Sequence, residues 1–195
     1  MSTTDWNTMT WFNPPASTDV GPDRLHVVTG NETDFWQKTY YGFHHDNGHF
    51  LHLPRTGDFT IGTRFTGRYE TLYDQAGLMV RHDERHWLKC GIEFTDDHCH
   101  LSTVVTADGR SDWSAFALAD FSGALELRLS RLGDAMFVQY RVQPEGLWRM
   151  ARLAYFPPGL ESLEVGVMTC SPQRAGFEVI FHHFRVSDPV SRDIH

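Results

Sequence analysis

The stretch that most limits how this chain can fold is LYDQAGLMVRHDERHWLKCGIEF, residues 72–94. It holds two runs that alternate with period two on either side of a charged turn. In the first, Leu72, Ala76, Leu78 and Val80 share one face, interrupted by Asp74, while Tyr73, Gln75, Gly77, Met79 and Arg81 share the other. In the second, Leu88, Cys90, Ile92 and Phe94 form an apolar face opposite Trp87, Lys89, Gly91 and Glu93. A period of two is that of a strand with one face laid on a core. Both apolar faces must emerge on the same side of the sheet, because a slip by one residue would carry one set into water. That condition needs a turn with an odd number of residues, most simply Asp83-Glu84-Arg85. It then pairs Leu78 with Cys90 and Ala76 with Ile92. On the other face it pairs Gln75 with Glu93, Gly77 with Gly91, Met79 with Lys89 and Arg81 with Trp87.

The second face is the candidate site. Two facing glycines leave bare backbone, which reads either as the floor of a shallow site or as relief of crowding where a sheet bends. Saccharides are held by an aromatic plate under the ring and by amide or carboxylate groups on the hydroxyls. Tyr73, Trp87 and Trp113 are candidate plates; Gln75, Glu93 and Asp112 are candidate hydroxyl partners; Arg81 and Lys89 complete the ligand-binding set. The competing reading is a solvated face with a Lys–Glu pair and an Arg–Trp stack, each worth a fraction of about 1 kcal/mol.

The rest of the chain repeats the strand pattern. Runs at 24–29, 50–53, 58–66, 100–106, 113–118, 125–130, 135–142, 147–156, 163–169 and 177–186 read as short strands with turns between them. Asn47-Gly48 reads as the tight turn of a hairpin whose return strand is 50–53. No stretch shows a convincing amphipathic helix, no internal repeat is visible and no linker interrupts the pattern. The expectation is one domain over residues 1–195, all-β, folded as a two-sheet antiparallel sandwich or a barrel. Residues 1–23 are expected to form a largely irregular N-terminal arm tacked down by Trp11 and Phe12, and residues 187–195 a frayed tail.

Several motifs together carry a resemblance. TDFW (33–36), DNGH (46–49), GDF (57–59), LYDQAGLMVR (72–81), KCGIEF (89–94), SDWS (111–114) and GFEVIFHHFRV (176–186) resemble an uncharacterised bacterial and fungal domain family, whose fungal member is named for regulation of enolase. The resemblance spans about residues 11–186. It implies a concanavalin A-like jelly-roll sandwich, the fold of lectins and glucanases, with ligands on the concave sheet. It implies no catalytic residues, and a shared fold is a weak warrant for a shared function.

Charge and composition exclude other classes. With a formal net charge of -8 over 195 residues and no basic run, the chain lacks the clustered Lys and Arg that nucleic acids require. No apolar run approaches the ~18 residues that span a bilayer, and the N-terminus carries no secretory signal. Cys90, Cys99 and Cys170 are odd in number and form no CxxC, which points to free thiols in the cytoplasm. Cys90 falls on the core-facing side of its strand, and Cys170 reads as a buried structural thiol. Neither GxGxxG, GxSxG nor a phosphate loop occurs, so no cofactor is expected.

Histidine clusters and paired carboxylates are the bases of two further chemistries. Twelve histidines include groups at 44, 45 and 49, at 82 and 86, and at 98 and 100. They read as ordinary surface and hairpin-end side chains, with no metal site expected. Glycoside hydrolysis needs two carboxylates flanking one bond. No ExDxxE string is present, and Glu93 is the lone carboxylate on the polar side of 87–94. The expected function is therefore non-catalytic binding of a small polar ligand, a saccharide first, on the concave face. The alternatives are a protein-interaction module acting on a metabolic enzyme and, third, a glycoside hydrolase-like enzyme.

Overall fold

The computed structural model describes residues 2–118, 121 and 123–190. The first strands are β1 (Ser2–Thr3), β2 (Thr10–Phe12), β3 (Ser17–Gly21), β4 (Arg24–Val28), β5 (Phe35–Gln37) and β6 (His44–Asp46). Longer ones follow: β7 (His49–Arg55), β8 (Phe59–Gly67), β9 (Gln75–Asp83), β10 (His86–Thr95), β11 (His98–Ala107) and β12 (Arg110–Ala117). The last are β13 (Ala124–Leu132), β14 (Ala135–Arg141), β15 (Arg149–Tyr155), β16 (Leu163–Cys170) and β17 (Glu178–Ser187). Among the described residues the one helical element is a 3₁₀ turn, Trp6–Thr8, capped by the Asp5 carboxylate.

The strands form two large antiparallel sheets. One runs β15-β14-β13-β8-β17-β4-β3, with β1 also paired to β17; the other runs β12-β11-β10-β9-β16-β7-β2. Their apolar faces meet in one core that joins Ile61, Phe65, Leu127, Leu129 and Phe181 of the first sheet to Leu78, Val80, Leu88, Ile92 and Val167 of the second. Alternation puts these side chains inside, as expected for aligned sheets packed face to face. Of the sandwich and the barrel that the strand pattern left open, the fold is the all-β sandwich, in the concanavalin A-like form that the resemblance implied.

The central hairpin has the register expected of it. Leu78 pairs with Cys90, Ala76 with Ile92, Gln75 with Glu93, Gly77 with Gly91, Met79 with Lys89 and Arg81 with Trp87. The turn differs in detail. Asp83 pairs with His86, and a bulge between His86 and Trp87 then restores the parity, because one extra residue on one strand does the work of an odd loop. Strand β9 begins at Gln75, so Leu72 and Tyr73 stand outside it, with Tyr73 at φ 66°. Asp74, the polar intruder on the apolar face, is fully buried and held by Arg174, whose Nη2 donates to Oδ2 at 2.6 Å. At Gly77 and Gly91 a Cβ would collide with the backbone of the facing strand; of the two readings of this pair, crowding is the one the backbone supports.

Three expectations are corrected. The N-terminal arm is not mostly irregular: β1 joins β17, β2 joins β7 and β3 joins β4. Asn47-Gly48 does not close a hairpin, because β6 pairs with β5 while β7 pairs with β16 and β2. The outer face of the second sheet is not an open hollow. The β5–β6 ribbon lies over part of it as a third layer, and Phe35, Phe50, Met79, Trp87, Val104, Met168 and Cys170 form a second core between them. Of the expected frayed tail, residues 191–195 lie outside the described residues.

Candidate functional site

The ribbon makes the site by covering only part of the sheet. It is seated by Asn47, whose Oδ1 accepts from the Asp34 backbone N–H at 3.0 Å and whose Nδ2 donates to the Glu32 carbonyl at 3.0 Å. The N–H groups of Asn47 and Gly48 both donate to the Asp34 carbonyl. This clasp turns the Asp34 carboxylate down onto the sheet. Its Oδ1 accepts from the Phe35 N–H at 2.8 Å, from Lys89 Nζ at 2.9 Å and from Gln75 Nε2 at 3.3 Å. The Phe35 ring drives in beside it, 6.1 Å from Trp87.

Between β5 and β6 the chain reverses through a tight turn in which Lys38, Tyr40 and Gly42 have positive φ. The turn is closed by backbone bonds from Lys38 to Phe43 and from Gly42 to Lys38, each 2.7 Å. It presents a line of aromatics: Trp36 meets Tyr41 edge-on at 5.8 Å, and Tyr41 stacks on Phe43 at 5.4 Å. Below them lies a cavity of about 380 Å³. Gln75, Lys89 and Glu93 of the central hairpin form its polar floor, and Trp113 of β12 and the Tyr73 turn stand around it. Pro172 and Gln173, after β16, complete the rim. Trp113 is fixed in place: its Nε1 donates to Glu93 Oε2 at 3.1 Å and to Ser102 Oγ at 2.9 Å.

The floor is an electrostatic cluster that is almost wholly buried. Burial pushes the Glu93 carboxyl above its ordinary range; Lys89, Ser102 and Trp113 oppose that only in part, and Asp34 adds to it. Burial works against the Lys89 ammonium too, yet the Asp34 and Glu93 carboxylates outweigh it and hold the group above its usual value. Tyr73 is raised by burial and then by Tyr41. The walls carry three carboxylates, Glu32, Asp34 and Glu93, against one lysine and His45. A cavity of this balance repels anions and suits a neutral ligand with hydroxyl groups.

Of the eight candidate residues, Tyr73, Gln75, Lys89, Glu93 and Trp113 line this cavity. The other three do not. Arg81 lies under the ribbon, its Nη2 bonded to Asp46 Oδ2 at 2.7 Å and its guanidinium 4.5 Å from the Phe12 ring centre. Trp87 is fully buried beneath Phe35, its indole N–H spent on the Glu84 carbonyl, so it offers no plate. Asp112 pairs with Val105 while Trp113 pairs with Val104, so alternation sends it to the opposite face. There it meets Arg152 at 3.0 Å.

Asp34, Trp36, Tyr41 and Phe43 were not among the candidates. For the three aromatic residues the signal was the density of rings in NETDFWQKTYYGF, more than a short strand can bury; Asp34 carries no such signal. Glu32 and Asp34 both share the cavity with Glu93, so a lone carboxylate is no longer a ground against hydrolysis. Of the two, Asp34 is tied, one oxygen accepting from three donors. Among the described residues no three His, Cys, Asp or Glu side chains are grouped to hold a metal. The three cysteines are free, and burial raises the Cys90 thiol to about 12 and the Cys99 thiol to about 11.

Residues 11–189 match a family described as "Protein of unknown function (DUF1349)". The chain is 40% identical over 186 residues, 95% of its length and 92% of the relative's, to "Regulation of enolase protein 1" of Saccharomyces cerevisiae. A crystal structure of a functionally unknown protein from Saccharomyces cerevisiae superposes with a TM-score of 0.91 at 39% identity, covering 96% of this chain and all of that one. The GH43 protein BlXynB from Bacillus licheniformis, as its K247S mutant, superposes at 0.72 with 16% identity over 95% of this chain and 39% of that chain. The CBM2 module of the evolved Dit of Lactobacillus casei phage J-1 superposes at 0.61 with 10% identity over 97% and 95%. At such identities the last two speak for the sandwich alone.

Proposed function

This chain belongs to the DUF1349 family, and we propose that it binds a small neutral polar ligand, a saccharide, without transforming it, in the cavity beneath the β5–β6 ribbon. One observation carries the reading: an exposed indole, Trp113, clamped by two hydrogen bonds at the edge of a floor of amide, ammonium and carboxylate groups. A fixed ring costs little entropy when a sugar stacks on it, and a cavity of about 380 Å³ falls within the range of small-molecule sites. Three free thiols support a cytoplasmic setting, and among the described residues no helix is long and apolar enough to cross a membrane.

The experiment is calorimetric titration with a panel of mono- and disaccharides. Gln75→Ala and Trp113→Ala should each weaken a bound sugar at least about tenfold, the loss expected for one buried hydrogen-bonding or stacking partner. Unchanged affinity in both folded variants would overturn the reading. Release of product from an aryl glycoside, abolished by Glu93→Gln, would replace it with hydrolysis.

A second reading is favoured by a different observation. Edge strand β15 and the loop before it expose Leu147, Met150, Leu153 and Tyr155 at 86%, 53%, 49% and 65%. Apolar side chains on an unpaired edge suit a protein partner, and the yeast relative's name suggests a metabolic enzyme as that partner. Stoichiometric recovery of one protein beside an empty sugar panel would favour it.

A further inference from the structure

We propose that the outer face of the eight-stranded sheet carries a second binding site, specific for a phosphate-type oxyanion, centred on the gap at Gly62. It is independent of the cavity under the ribbon, which lies on the other sheet and has the opposite charge balance.

The sheet register builds the site. Across β17, β8, β13 and β14, Arg185 stands beside Gly62, Gly62 beside Arg128 and Arg128 beside Gln139. The adjacent row on the same face is His183, Arg64, Glu126 and Arg141. Gly62 contributes no side chain, so a hole opens between Arg185 and Arg128, part of a cavity of about 180 Å³. Trp148 forms one wall, with the Arg128 and Arg141 guanidinium carbons 4.3 and 4.8 Å from its ring centre.

The charges in these two rows do not balance. Four arginines face one carboxylate. Glu126 is taken by Arg141, whose Nε donates to it at 2.7 Å. Arg128 Nε donates to the neutral Gln139 amide oxygen at 2.6 Å. Arg64 and Arg185 form no ion pair among the described residues, and Arg185 Nε is buried with no hydrogen-bond partner there. A clamp to hold Trp148 accounts for Arg128 and Arg141 but leaves Arg64 and Arg185 without a purpose. A half-buried guanidinium lacking an acceptor is costly. The surplus stands out in a chain whose formal net charge is -8.

Guanidinium groups match the geometry of phosphate oxygens and bond them in pairs. A dianion in the gap would supply acceptors to Arg128 and Arg185 together and neutralise the repulsion across the row. Burial and then Arg185 hold the His183 imidazole near 4, so at neutral pH it enters as an uncharged hydrogen-bonding group.

The test is titration of the whole protein with inorganic phosphate, and separately with glycerol phosphate, against sodium chloride of matched ionic strength, followed by heat capacity of binding and thermal midpoint. Phosphate should bind and raise the midpoint where chloride does not. Arg128→Gln and Arg185→Gln should each cut the affinity at least about tenfold, whereas Gln75→Ala in the other cavity should leave it unchanged. Arg185→Gln removes an unpaired charge and should fold at least as well as the parent, so its loss of binding is not a loss of structure. Glycerol phosphate binding much more tightly than phosphate would identify the ligand as a phosphorylated metabolite; equal binding would identify the free anion. A phosphate response no larger than that of chloride, or one that survives in Arg128→Gln/Arg185→Gln, overturns the proposal.

Discussion

Glu93 shows how one side chain ties the site to stability. Burial raises its folded pKa above the ordinary value of 4.5, so the folded protein holds that proton more tightly than the unfolded chain does. This contribution is complete below the unfolded value and is lost as pH rises through the folded one. Glu93→Gln keeps an acceptor for the Trp113 indole and abolishes the titration. Relative to its standing at pH 4, the variant should gain on the parent as pH rises to 8, measured by urea midpoints across that range; parallel curves would remove the buried, raised carboxyl. The position of this residue was legible because parity alone placed it opposite Gln75 and on the same face as Lys89. Asp34 was not legible: it reaches Lys89 across 55 positions of chain, and no local pattern encodes a contact of that span.

The element that most changes the picture is the β5–β6 ribbon. It converts part of an exposed sheet face into a second core and leaves a cavity beside it. Phe35 is its anchor, wholly buried against Trp87 and Phe12. Phe35→Ala should cost about 3–5 kcal/mol by the usual scale for deleting a buried aromatic ring, and the emission of Trp87 should shift to the red; a loss below about 1 kcal/mol would mean that the ribbon is not held this way. Asn47-Gly48 misleads for a physical reason. The dipeptide marks a reversal of the chain, yet the choice of partner strand is made by burial far away. Here Asn47 spends its amide on the 32–34 backbone, and a Cβ at Gly48 would strike the Phe35 ring. Arg81 and Trp87 were placed on the correct face and yet in the wrong surroundings, because alternation reports a face and says nothing of a layer laid on top of it.

At the scale of the molecule, the sandwich was readable because most strands keep one face apolar, and that pattern survives whatever the loops do. The charge distribution was not. A formal charge of -8 conceals an acidic cavity on one outer face and an arginine cluster on the other, which only the register brings together. One core joins the two sheets, and we expect a single cooperative unit. Guanidinium unfolding followed by far-ultraviolet dichroism and by tryptophan emission should give coincident curves; separated midpoints would show the ribbon core melting on its own. The ladder between β1 and β17 has a mechanical corollary. Ser2 sits opposite Val186 and Thr3 opposite Arg185, so the two strands leave this ladder side by side. A tensile load drawn between them would open its rungs one after another, as a zipper parts, and would never strain them together in shear.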